Sequence, residues 1–220
     1  MQAPLSGPPA AFGESGVLSF RALRATCQHA TLWIAVALAA GCALSPEQKR
    51  DAINALNAEF RVEYERILAA EGTRVFQADR KTVVAAAQAA MTRLKMRLDD
   101  EVPALGFMSF SAPAPLPLTP EEWERVNAAD LPKARALLRP HVGWMADHFR
   151  FEPKGLDIIV NATVTETRGA STVSLTMRMR EVTPLDLELP RRDYPPPTAL
   201  SMGLDKIWRE FEQALRARQR

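Results

Sequence analysis

Long apolar runs are missing from this sequence of 220 residues. Its run Leu32–Ala40 holds nine apolar residues, whereas a helix that spans a bilayer needs about 20. Cysteine is equally scarce, since only Cys27 and Cys42 are present. The charges nearly cancel, with 28 Lys and Arg against 26 Asp and Glu, and a nucleic-acid-binding protein usually concentrates basic residues on one face. The composition therefore argues against a nucleic-acid partner.

The short apolar run has the features of an export signal. Signal peptides carry an apolar core of about 7–15 residues behind a positively charged flank, and here Arg21 and Arg24 precede the run without an acidic residue between. The run closes on the small residues Ala39, Ala40 and Gly41, which fit a peptidase cleft, and then on the thiol of Cys42.

The stretch Leu38-Ala39-Ala40-Gly41-Cys42 resembles the lipobox of bacterial lipoproteins. The resemblance implies cleavage between Gly41 and Cys42, a thioether-linked diacylglycerol on the Cys42 sulfur, and a membrane anchor without a spanning helix. The leader is long for this class, and a start at Val17 would give it an ordinary length. An ordinary cleaved signal and a buried apolar helix are the alternatives.

Cleavage before Cys42 would determine both the cysteine chemistry and the cellular location of the protein. Cys27 would leave with the leader and Cys42 would be lipidated, so a mature chain could form neither an internal disulfide nor a cysteine-ligated metal site. Ala43 follows the lipidated cysteine, where an aspartate tends to retain enteric lipoproteins in the inner membrane. We expect a location in the cell envelope, at the outer membrane and facing the periplasm.

The remaining chain divides into three parts. Ser45, Pro46 and Gln48 predict a capped helix start, and apolar residues follow at helical spacing until Gly72. This helix begins close to the lipid, so no long tether is expected. The domain boundaries are a signal peptide over 1–41, a lipid-anchored helix over 42–71, an α+β core over 72–182, and a proline-rich linker with an amphipathic helix over 183–220.

The core reads as alternating short strands and helices. The expected elements are a strand Thr73–Ala78, a helix from about Arg80, strands near Met96–Glu101 and Gly106–Ala112, a helix from Thr119, and a second helix from Leu131 to about His148 that Pro140 and Gly143 should break or bend.

A hairpin gives the clearest strand signal. Apolar and polar residues alternate over Ile158–Thr165 and again over Thr172–Met179, on either side of Arg168-Gly169-Ala170. Such alternation around a glycine turn predicts antiparallel strands with one buried face. The predicted fold class is α+β, with a mostly antiparallel sheet of about four or five strands and helices packed on one face.

The last helix carries Leu204, Ile207, Trp208, Phe211 and Leu215 as one apolar stripe. We expect Trp208 and Phe211 to pack on the sheet, and a helix that presents them to a partner is the alternative. The preceding Arg191-Arg192-Asp193-Tyr194 either covers the core or forms an exposed ligand. The possible partner surface thus comprises Trp208, Phe211, Arg191 and Arg192.

Candidate chemistry is sparse. His141 and His148 are seven residues apart, whereas a chelating helical pair favours an i, i+4 spacing. The acidic run Asp99-Asp100-Glu101 lacks the spaced ligands and glycine of a calcium loop. No nucleophile elbow or phosphate loop is present. We expect no cofactor, no metal and no catalytic residue.

Three functional hypotheses remain open. The first is a non-enzymatic lipid-anchored envelope protein that binds another envelope protein, by loose analogy with the BamC-like accessory lipoproteins of outer-membrane assembly. The second is a binding module for a small ligand or a peptidoglycan fragment. The third is a hydrolase with dispersed catalytic residues.

Overall fold

The first helix begins where its capping residues predict. In a computed structural model, which describes residues 44–182 and 192–219, α1 spans Pro46–Glu71. The Ser45 hydroxyl accepts a hydrogen bond from the Gln48 amide at 3.1 Å, and the Gln48 side chain accepts one from the Ser45 amide at 3.0 Å. This capping box is the predicted one. The buried face of α1 consists of Ala52, Leu56, Phe60, Tyr64 and Ile67.

Within the described residues, five antiparallel strands form one sheet in the order β1-β5-β4-β3-β2. The predicted α+β fold class is confirmed. The strands are β1 Thr73–Phe76, β2 Arg97–Val102, β3 Phe107–Pro113, β4 Leu156–Thr167 and β5 Ala170–Glu181.

Turn geometry moves several predicted strand ends. β1 stops at Phe76, two residues before the predicted end, because Phe76 pairs with Ser171 at the start of β5 and the ladder ends there. β3 starts at Phe107, one residue after the predicted Gly106, because Gly106 has a φ of 66° and belongs to the turn. Pro113 closes β3 opposite Asp157.

The hairpin of β4 and β5 is the centre of the sheet and matches its prediction. Thr167 pairs with Ala170 across Arg168 and Gly169, whose φ values of 53° and 82° close the turn. Alternate residues of both strands are buried. Antiparallel strands with one face on the core show this alternation.

The predicted pair of helices after Thr119 is wrong, since a single helix α3 spans Pro120–Val142 with Pro132 and Pro140 inside it. Proline removes one helical hydrogen bond and crowds the preceding turn, but the buried face continues at helical spacing through Leu131, Ala134 and Leu138. Burial of that face outweighs the local defect. Gly143, with a φ of 58°, ends α3 as predicted, and the rest is a 3-10 helix, Gly143–His148.

The helices form a layer on the buried face of the sheet. α2, Arg80–Arg93, and α4, Pro197–Arg218, pack against each other and against the strands. α1 packs along α3, and both contact α4. All described residues belong to the unit Leu44–Arg220. Within residues 44–182 and 192–219, we find no helix with the length and apolar character that crossing a membrane requires.

A residue outside α4 supplies the cap of this helix. The N-cap of α4 is Pro196, which has no capping side chain. Asp130 of α3 instead accepts hydrogen bonds from the Thr198 amide at 2.9 Å and from the Thr198 hydroxyl at 2.7 Å. Burial raises the pKa of Asp130 above its ordinary value, against the lowering effect of these hydrogen bonds.

Candidate functional site

The predicted lipobox lies outside the part of the chain that the structure describes. This holds for Leu38, Ala39, Ala40, Gly41 and Cys42 alike. The first described residue, Leu44, follows Cys42 by two positions. The lipid anchor therefore stays a prediction from the sequence.

The last helix packs on the core, as expected of its apolar stripe. Trp208 is 1% exposed and Phe211 is 2% exposed, and Phe76 of β1 lies 4.7 Å from the Phe211 ring centroid. The Trp208 indole donates a hydrogen bond to the Glu71 carbonyl at 2.7 Å. The alternative that these two residues offer a partner surface is wrong, because neither ring is accessible.

The segment before α4 covers the core. Arg192 pairs with Glu181 of β5 at 2.7 Å in a half-buried position, and the Tyr194 ring lies edge-on to Tyr64 at 5.2 Å. Pro195 and Pro196 are buried. The described part of this segment therefore fits the interpretation that it covers the core. Arg192 is already paired within the chain and is not free to contact a partner. Arg191 lies outside the described residues.

The two histidines and the acidic run lie on different elements. His141 lies in the last turn of α3 and His148 at the end of the 3-10 helix. Asp99 lies in edge strand β2, where hydrogen bonds from Ser111 and from Arg97 hold the pKa of its carboxyl below the usual range, against an opposing effect of burial. Across residues 44–182 and 192–219, no three His, Cys, Asp or Glu side chains are grouped to hold a metal ion.

An apolar groove lies where the described chain begins. Its walls come from the first turns of α1, the last turns of α3 and the 3-10 helix, and its volume is about 360 Å³. The side chains that line it are Leu44, Lys49, Ala52, Ile53, Leu56, Leu138, Val142, Met145, Ala146, His148, Phe149 and Arg192.

Small residues form the floor of this groove. Ala52 of α1 and Ala146 of the 3-10 helix are buried beside Leu138, and these three form a satellite cluster next to the main core. Larger side chains at these positions would fill the space. Trp144 lies one residue before the lining residue Met145, is 65% exposed, and stands edge-on to His148 at 5.5 Å.

A second cavity of about 530 Å³ lies between α2 and the turn that joins β2 to β3. Its lining mixes charges of both signs, including Arg80, Lys81, Glu101 and Glu166. The Arg80 guanidinium donates to the Pro103 carbonyl, and Gln88 donates to both Glu101 oxygens at 3.2 Å. This polar cleft suits a small polar ligand better than an apolar one.

Sequence reasoning missed both cavities because their walls come from distant parts of the chain. The groove joins residues 44–56 to residues 138–149. The polar cleft joins α2 to β3 and to the end of β4. The small residues Ala52 and Ala146 give a local signal of the groove in the sequence. This signal is weak, because alanine is common in ordinary helix packing.

The geometry defines an α+β domain with an apolar groove at its N-terminal end and a polar cleft beside the sheet. No family model, curated protein or solved structure matches this chain.

Proposed function

We propose that this protein is a lipid-anchored component of a bacterial cell envelope, held by a lipid on Cys42, with a non-enzymatic binding or accessory role toward another envelope protein. The observation that carries the proposal is the lipobox-like Leu38-Ala39-Ala40-Gly41-Cys42 after a short apolar run. One acyl chain binds a membrane only marginally, whereas two or more anchor a protein stably.

The described domain is compatible with such an anchor. The cap of α1 is Ser45, three residues after Cys42, so little chain separates the lipid from folded structure. Leu44 and His148 both line the apolar groove, and the exposed Trp144 stands against His148. Tryptophan is favoured at membrane–water interfaces, which supports a domain that rests near the lipid surface.

Substitution of the lipidated cysteine tests the anchor. In a bacterial host grown with a fatty-acid probe, Cys42→Ser should abolish labelling and leave the precursor unprocessed by the lipoprotein peptidase. Cys27→Ser is the matched control, because it removes the other cysteine and should change neither labelling nor processing. Retained labelling and unchanged mobility of Cys42→Ser would rule out the anchor.

Crosslinking in membranes of the native host tests the accessory role. The lipidated protein should be recovered with one envelope protein in reproducible stoichiometry. Cys42→Ser, which should not reach the same membrane, serves as the control. If the mature protein were recovered alone under conditions that capture known envelope complexes, the accessory role would fail.

The polar cleft favours a second candidate function, a binding module for a small ligand or peptidoglycan fragment. Its mixed charges from Arg80, Lys81, Glu101 and Glu166 could pair with a zwitterionic ligand. Calorimetric titration with soluble peptidoglycan fragments tests this candidate, and saturable binding would favour it over the accessory role.

A further inference from the structure

The side chains that line the groove at the start of α1 determine which kind of molecule can occupy it. Ile53 and Leu56 of α1 face Val142 of α3 and Met145 of the 3-10 helix across it. Its polar lining side chains are Lys49, His148 and Arg192, and Arg192 is already paired with Glu181. A sugar or a peptide backbone in such a groove would leave hydrogen-bonding groups unsatisfied. An unbranched hydrocarbon chain has no such groups.

The predicted lipid would be attached close in sequence to a residue that lines this groove. Leu44 lines the groove, and two peptide units connect it to Cys42. A residue spans at most about 3.6 Å along an extended chain, so two residues contribute at most about 7 Å of chain length. A lipid attached two residues before Leu44 is therefore an occupant that the chain itself could supply to the groove.

We propose that the groove holds one acyl chain of the lipid carried by Cys42. This inference rests on the proposed lipid anchor. The groove has a volume of about 360 Å³, which gives room for part of one acyl chain. Groove and bilayer are both apolar, so moving a chain between them exposes little hydrocarbon to water.

The other acyl chains remain in the membrane, and this arrangement orients the domain. With one chain in the groove and the others in the bilayer, the mouth of the groove faces the lipid. Trp144 then lies at the membrane–water interface, where its amphipathic ring is favoured. The lipid would then determine which face of the domain is presented to a partner, in addition to the membrane at which the protein is located.

A photoactivatable fatty acid reads out the position of the chain directly. The full-length protein is expressed in a lipoprotein-processing host fed a diazirine fatty acid, and isolated membranes are irradiated and digested with trypsin. We expect the lipidated peptide Cys42–Lys49 to be crosslinked to peptide Asp51–Arg61 or to the peptide that contains Met145.

Two matched variants on α1 show whether the crosslink depends on the groove. Ile53→Glu places a carboxylate on the half-exposed groove wall, where an apolar chain would have to displace the water that hydrates the charge, and should lower the crosslink yield about tenfold. Val62→Glu makes the same chemical change at a position that is 62% exposed and outside the groove, and should leave the yield unchanged. Circular dichroism would check that both variants fold.

The possible outcomes separate the inference from the anchor on which it rests. Label on Cys42 with crosslinks only to phospholipid, or with equal yields in Ile53→Glu and the wild type, overturns the groove assignment and leaves the anchor intact. Absence of label on Cys42 overturns both. Crosslinks to unattached fatty acid, or between isotopically heavy and light copies, assign the groove to a foreign lipid or to a second copy and overturn the proposed occupant.

Discussion

Asp130 performs for α4 the function that an N-cap side chain performs for most helices. A helix leaves its first four amides without intrahelical partners, and Pro196 at the N-cap position of α4 has no capping side chain. Asp130 accepts from both the amide and the hydroxyl of Thr198. The contact ties α3 to α4 across residues that the sequence alone does not associate.

Removal of this cap should weaken the fold by a measurable amount. Asp130→Ala is expected to lower the free energy of unfolding by about 1 kcal/mol, the usual effect of losing a cap, in urea titrations followed by circular dichroism. Glu124→Ala on the same helix removes an exposed ion pair with Arg150 and should change stability by less than about 0.5 kcal/mol. Equal effects of the two substitutions would refute the capping role.

The pKa of Asp130 adds a pH dependence with a defined sign. Burial raises the pKa of the folded state above its ordinary value of 3.8, so the native protein takes up this proton at a higher pH than the unfolded chain does. The resulting stabilisation is fully present below pH 3.8 and is lost as the pH rises through the folded pKa. The advantage of the wild type over Asp130→Ala should therefore grow on acidification; an advantage that shrinks would contradict the raised pKa.

At the scale of elements, the junction of α1 with β1 leaves no room for a side chain. A Cβ atom on Gly72 would lie 2.6 Å from the Leu68 carbonyl oxygen and 3.2 Å from that of Leu175. Both atoms belong to the backbone, and the Gly72 carbonyl also accepts from the Leu175 amide at 2.7 Å. The close approach joins the end of a helix to the middle of β5.

Two glycine substitutions distinguish a rigid neighbour from a flexible one. Gly72→Ala should lower the free energy of unfolding by about 1–3 kcal/mol, because backbone atoms must shift. A Cβ on Gly203 meets mainly the flexible end of the Met177 side chain, at 2.8 Å and 2.9 Å, and alanine is favoured over glycine within a helix by about 1 kcal/mol. Gly203→Ala should therefore be closer to neutral, and urea titrations that reversed this order would contradict the packing described.

Local signals predict elements well, and long-range packing decides the rest. The Ser45 capping box and the alternation in β4 and β5 depend on neighbouring residues, so the sequence alone predicts them. Pro140 misleads, because the burial of Leu138 and its neighbours on α3 keeps the helix intact as far as Val142. Sequence reasoning could not foresee the cap from Asp130, since its partner Thr198 comes from another helix.

At the scale of the whole molecule, the sequence predicts the cellular location of the protein, and the folded chain forms the apolar groove that bears on its function there. The apolar groove is lined by Leu44, two residues after the predicted lipid on Cys42, and the exposed Trp144 stands against His148 of the groove lining. The groove cannot be predicted from the sequence of either wall alone, because α1 and the 3-10 helix each resemble ordinary amphipathic segments. The proposed function therefore depends on a local motif, the lipobox-like sequence, and on a cavity formed by residues that are distant in sequence.

The mass of the N-terminal tryptic peptide of the mature protein tests the central claim most directly. Membranes of the native host would be extracted with detergent, and the purified protein digested and analysed by mass spectrometry. The lipid-anchor account predicts a mature chain that begins at Cys42, with the peptide Cys42–Lys49 carrying a diacylglyceryl group on sulfur. A mature chain that begins elsewhere, or an unmodified Cys42 thiol, would contradict it.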